Sequence, residues 1–242
     1  MRFISLVRSA MLILICPAAS AAAASLQVYP VNIEVKAPAL ASTLTLRNLN
    51  DHMAATQIRV FRWYQKNGKD FLEPTRSVVA SPPAANLKPG TDYTVRIVRV
   101  DRSPVAGEES YRLLVDQIPD SALLKTGAVN LTIRYSIPVF FSNSPQLAKV
   151  SWRMTARDGH ILMVATNSGQ QRQKIANLVL VDSKGRVLKF GNGLLGYVLG
   201  GGSHEFNSPV LPAGYASNGQ FLLKYSTDNG TFEASVASQN AN

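Results

Sequence analysis

The side chains best equipped for chemistry are few in this chain and lie far apart. Its three histidines, His52, His160 and His204, share no spacing that would bring two of them to one metal ion. His52 follows Asn50-Asp51 and His204 follows Gly202-Ser203, both contexts typical of surface turns. The single cysteine, Cys16, has no partner for an internal disulfide. There is no Gly-x-Ser-x-Gly elbow and no phosphate-binding loop. The glycine clusters at 191–193 and 200–202 flank strand-like segments instead of opening a helix, so they read as turns or bulges. Trp63 and Trp152 read as sandwich core residues, not as a ligand cage. The chain is therefore expected to be no enzyme, with no catalytic residue, metal site or cofactor.

With that chemistry missing, the reactive surface left to consider is the backbone of an unpaired strand. In residues 129–141, Val129, Leu131, Ile133, Tyr135, Ile137 and Val139 share one face. Asn130, Thr132, Arg134 and Ser136 share the other, until Phe140 breaks the alternation. Thirteen residues is long for a strand. Pro138 cannot donate to a ladder, which places an edge or a bulge there. A long apolar edge is an aggregation hazard that proteins suppress, so an exposed one points to pairing with another chain as the function. The alternative is a central strand covered on both sides, and periodicity does not choose between the two.

The elements around this segment are also strands. Alternation recurs at 44–47, 57–63, 93–100 and 111–115, separated by the turn signals Asn67-Gly68, Lys88-Pro89-Gly90 and Ile118-Pro119-Asp120. A second series runs from 150–155 through 160–166, 175–181, 187–190 and 197–199 to 220–226. No window carries a capped amphipathic helix. The pattern predicts an all-β chain of two immunoglobulin-like sandwiches, over 25–142 and 149–242, joined by a polar linker at 143–148.

Residues 1–24 are set aside. Arg2 and Arg8, the apolar run 11–15 and a stretch of alanines follow the order of a secretory signal peptide, and the apolar run is too short to span a bilayer. Its removal takes away Cys16 and lowers the formal charge from +10 by the two arginines. No later apolar run suits stable membrane insertion, and the remaining basic residues are scattered, so no nucleic acid is expected as a partner.

Several stretches in order resemble the periplasmic pilus (fimbrial) chaperones of chaperone–usher pathways. They are Ser81-Pro82-Pro83 with Leu87-Lys88-Pro89-Gly90 and Val95-Arg96-Ile97; Glu108-Glu109-Ser110-Tyr111-Arg112-Leu113 with Ile118-Pro119; and Gly196-Tyr197-Val198-Leu199 before Gly200-Gly201-Gly202-Ser203. Ser136-Ile137-Pro138-Val139-Phe140-Phe141 is similar to the archaic, Csu-type branch. The resemblance implies two domains set at an angle around a cleft. It implies a donor strand whose odd-numbered face (Val129, Leu131, Ile133, Tyr135 and Ile137) fills the groove of a pilin subunit. It also implies a periplasmic location and delivery to an outer-membrane usher; an exposed edge would separately permit self-association through the same strand. Other branches of the family hold the subunit's terminal carboxylate with an arginine and a lysine. The aligned positions here are Asn32 and Pro138, which carry no charge. Arg134, on the face of position 138, and Arg96 and Arg99, on another strand, are the replacement candidates. A secreted surface- or carbohydrate-binding sandwich, adhesin- or pilin-like, is the alternative reading.

Overall fold

The computed structural model describes residues 26–119, 132–143, 147–215 and 218–239. Among them are eighteen strands and no helix. The sequence alternation becomes alternation of burial: in β8 (Asp92–Arg99), Val95 and Ile97 face inward while Thr94 and Arg96 face water.

In the first sandwich, one sheet runs β1 (Leu26–Tyr29), β3 (Ala41–Asn48), β8, β6 (Val78–Ser81). The facing sheet runs β2 (Ile33–Lys36), β10 (Arg134–Ser142), β9 (Glu108–Ile118), β4 (Ala54–Lys66), β5 (Lys69–Pro74), with β7 (Ala84–Leu87) beside β4. Leu44, Leu46, Val95 and Ile97 meet Ile58, Leu113, Val115 and Val139 between the sheets.

The second sandwich contains β11 (Val150–Arg157), β12 (His160–Asn167), β13 (Gln173–Val181), β14 (Val187–Lys189), β15 (Leu194–Val198), β16 (Ser203–Asn207), β17 (Gln220–Thr227) and β18 (Gly230–Gln239). These form one continuous sheet folded over a core that includes Met154, Met163, Leu178, Leu180 and Leu223. The fold-over is made by β18, which pairs antiparallel with β17 along its length and parallel with β11 at Met154↔Ser238 and Thr155↔Gln239.

Among the described residues, three sets of contacts hold the sandwiches together. Trp63 and Phe140 from the first pack against Tyr197 and Leu199 from the second, with ring centroids 5.6–5.9 Å apart among the three aromatics. The Gln65 amide donates to the Tyr197 carbonyl at 2.8 Å and accepts from the Leu199 N–H at 2.9 Å. Beyond it the β4–β5 turn, Asn67-Gly68, adopts positive φ at both residues, as a tight hairpin requires. The Glu205 N–H donates to the Gly68 carbonyl at 3.0 Å, and a Cβ on Gly68 would lie 2.4 Å from Glu205 Cγ, so this hairpin tip meets the second domain only as glycine. The third set centres on Arg172. Its guanidinium pairs with Glu108 and Glu34 and lies 3.6 Å from the Phe140 ring centroid. Burial pushes the Glu108 carboxyl above the usual carboxylate range despite the opposing pull of Arg172.

Replacing Phe140 with alanine removes the ring shared by the aromatic cluster and Arg172. Large-to-small changes of this kind cost about 3–5 kcal/mol. The expected result is a lower urea midpoint, followed by tryptophan fluorescence; an unchanged midpoint would show that the cluster does not couple the domains.

Candidate functional site

The first feature of the site is an interrupted edge. β10 pairs with β9 without a register shift from Arg134↔Asp116 to Ser142↔Glu108. On its other side β2 covers only Val139 to Ser142, through the parallel pairs Val139↔Ile33 to Ser142↔Lys36. Among the described residues no strand flanks 134–138 on that side. Pro138, which lacks an N–H, stands where the cover ends, so it marks an edge and not a bulge. The ladder with β9 continues to the end of the described strand, where the Gln117 N–H donates to the Ile133 carbonyl at 3.1 Å.

The second feature is a cleft of about 540 Å³ directly beside this edge. Val31, Asn32, Ser136 and Pro138 line it from the first domain, and Lys174, Leu194, Tyr197 and Asp228 from the second. Val31 and Leu194 give it an apolar rim, 68% and 53% exposed. The remaining first-domain group is Arg112, the cross-strand partner of Pro138 on β9. Its guanidinium lies 3.8 Å from the centroid of Trp63, a cation–π contact. Burial lowers the Arg112 pKa, the charges of Asp70 and Tyr197 opposing it. No ion pair or side-chain hydrogen bond engages Arg112 among the described residues. A partly desolvated guanidinium, stacked in place and facing a cleft with its donors unused, is a ready seat for an anionic oxygen.

A family model described as the pili and flagellar-assembly chaperone, PapD N-terminal domain, matches residues 25–146. The chain belongs to this chaperone family. A search of curated proteins finds no match. Among solved structures, the fold is similar to a chain of the CsuC–CsuE chaperone–tip adhesion subunit pre-assembly complex from archaic chaperone-usher Csu pili of Acinetobacter baumannii. That likeness has a TM-score of 0.68 at 23% identity, covering 89% of this chain and 100% of that one. The E. coli chaperone DraB is similar at TM-score 0.56 and 22% identity, covering 87% and 97%. A chain of the Salmonella enterica SafA pilin–SafB chaperone complex is similar at TM-score 0.58 and 17% identity, covering 87% and 95%. At these identities the structures speak for the fold, which is that of two-domain β-sandwich chaperones. Membership of a chaperone family implies a non-enzymatic role.

The chaperone fold sorts the residues expected from sequence. Val129 and Leu131 lie outside the described residues. Ile133 and Tyr135 are half-buried on the odd-numbered face, and the Tyr135 hydroxyl donates to the Leu26 carbonyl. Ile137 requires a correction. It is 2% exposed within the first core, together with Val139 and Phe141, because the facing sheet covers the strand there. Its side chain is therefore not available to a partner.

The arginine candidates also change. Arg99 is not a free anchor: its side chain is 1% exposed and engaged by Glu109 in a two-point pair at 2.8 and 2.9 Å, with the carbonyls of Asp101 and Ser103 taking further donors. Arg96 is exposed on β8, in the sheet opposite to β10, so it faces away from the cleft. Arg134 lies on the even-numbered face but is paired with Asp116, which also holds Arg59 at 2.7 Å. At about 3.3 Å per residue it stands four residues up the strand from Pro138, beyond the cleft lining. Arg112 was part of a quoted motif but was not singled out from sequence. Its significance comes from standing opposite Pro138, which only strand pairing reveals.

Arg99 is thus a structural residue of the chaperone. Arg99→Met strands the Glu109 carboxylate and should cost about 3–5 kcal/mol of stability. The Arg99 guanidinium holds the Glu109 carboxyl below the usual carboxylate range. That contribution is present above the unfolded carboxylate pKa and is lost as pH falls through the depressed folded value. The advantage of wild type over Glu109→Gln in denaturant melts should therefore shrink as pH drops below about 5. A pH-independent gap would contradict the assignment.

Proposed function

We propose that this protein is a periplasmic chaperone that completes pilin subunits by donating the strand at 129–135 and passes them to an outer-membrane usher. The observation that carries the reading is the juxtaposition of an open strand edge with an unpaired, desolvated Arg112 at the point where that edge begins. A subunit strand laid along 134–138 would satisfy the free backbone groups by strand addition. Alternate apolar side chains, Val129, Leu131 and Ile133 with part of Tyr135, would enter the subunit's groove. Each large one buried contributes about 1.5–3 kcal/mol. The strand's C-terminal carboxylate would reach the cleft and take the donors of Arg112, fixing the register that Asn32 and Pro138 cannot fix. The subunit-like complexes of CsuC–CsuE and SafA–SafB agree with a partner of this kind.

The organisation proposed with this function is a signal peptide at 1–24, a donor domain at 25–142, a linker at 143–148 and a second domain at 149–242. The same open edge would also permit self-association of the free protein. No nucleotide is required, because exchange at the usher can be driven by the better packing of one subunit's strand in the next.

Periplasmic co-expression with a pilin encoded beside this chain tests the reading. Wild type should raise the pilin level in periplasmic extracts, whereas Ile133→Asp, Leu131→Asp and Arg112→Met should each lower it at equal chaperone level. A pilin equally abundant without the chaperone, or with all three variants, would sink the proposal.

A further inference from the structure

The cleft holds a second cation, Lys174 on β13, and its charge is already engaged. The Lys174 ammonium lies 2.9 Å from Asp228 Oδ1. Asp228 occupies the two-residue turn between β17 and β18, closed by the pair Thr227↔Gly230, so the hairpin presents it at a fixed place. The pair has little structural value. Its side chains are 35% and 56% exposed, and ion pairs this wet contribute little to stability. Its location is more telling. Lys174 is the cross-strand partner of Tyr197, whose ring stands edge-on to Trp63 at 5.8 Å, and Trp63 carries Arg112. The Tyr197 phenol, raised chiefly by burial, feels the charges of Arg172, Lys174, Asp228 and Arg112 together. Asp228 also lines a second pocket of about 560 Å³, together with Gln173 and Asn229, which leaves its carboxylate room to turn away from Lys174.

We propose that Asp228 is a stand-in for the subunit's C-terminal carboxylate, occupying Lys174 while the cleft is empty and giving it up on loading. The proposal rests on the reading that this cleft receives that carboxylate. An arriving carboxylate then exchanges one partner of Lys174 for another and gains Arg112 as well, while Asp228 turns to water. Asp228 thereby weakens binding of weak or incomplete ligands, because any anion must compete with it.

Calorimetric titration with a short synthetic peptide of alternating valine and threonine tests this, using the free C-terminal acid and its amide. The quantity read is the preference for acid over amide. Asp228→Asn should raise that preference about three- to fivefold, the scale of a partly exposed charge pair. Lys174→Met should lower it, and Asp228→Asn added to Lys174→Met should change nothing further. Thermal melts of these surface variants should match wild type. If Asp228→Asn leaves the preference unchanged while Arg112→Met abolishes it, the carboxylate seat stands and the stand-in role alone is overturned. If neither wild type nor Asp228→Asn prefers the acid, the seat and the stand-in fall together. A rise on Asp228→Asn that persists in the Lys174→Met background assigns the effect to general charge and overturns the pairing.

Discussion

Where this molecule is closed and where it is open depends on the length of one short parallel ladder. β2 covers β10 for four residue pairs and stops at Ile33↔Val139. Had it run on, the strand would be central and its hydrogen-bonding groups internally satisfied. Because it stops, one continuous strand serves two purposes. Its later part seals the first core through Ile137, Val139 and Phe141, and its earlier part, at 134–138, has no second neighbouring strand among the described residues. Pro138 at the boundary has no N–H to leave unsatisfied when the cover ends. The rigidity of the core-bound half is what fixes the position of the free half.

The domain interface and the cleft are physically one construction. Trp63 packs on Phe140 and Tyr197 to join the sandwiches and also supports the guanidinium of Arg112. Arg172 plays the complementary part on the other side of Phe140, but its charge is consumed by Glu108 and Glu34. Two arginines stacked on neighbouring rings thus have opposite fates. One is neutralised and holds the domains together, and the other has no acid paired with it among the described residues. The difference lies in what the adjoining strands supply: Glu34 from β2 reaches one, while Pro138 faces the other. Asn32 and Pro138, both uncharged, are among the first-domain residues that line the same cleft as this guanidinium.

Much of the fold was legible in the sequence because burial in a sandwich follows a period of two. The strands, the Asn67-Gly68 turn and the two-sandwich architecture all follow from local pattern. The site was less legible because it depends on pairing between distant segments. Alternation placed Ile137 on the odd-numbered face with Tyr135 and Val139, but it could not tell that this face meets the chain's own core there. Arg99 looked available because an arginine in a strand gives no local sign that an acid ten residues on will engage it. Arg112, between Tyr111 and Leu113, carries no local sign that it stands opposite Pro138. A usable signal existed: an arginine on the strand preceding a proline-bearing one, at a spacing that sets the two opposite each other. Reading it required the register, which the masking of alternation by Phe140 and Pro138 obscured.

The strand that seals the first core and runs on beyond the cover of β2 also limits how its length can drift over evolutionary time. Between the residues sealing the first sandwich and those proposed to enter a partner, the side chains must keep the same parity. Gain or loss of one residue in 133–137 would turn one half of the odd-numbered face over relative to the other. The protein would then present polar groups to its partner or to its own interior. Changes of two residues preserve parity and only shift the reach of the strand. Insertions and deletions here should accordingly be tolerated in pairs, and lineages that serve subunits with deeper or shallower grooves should differ by even steps.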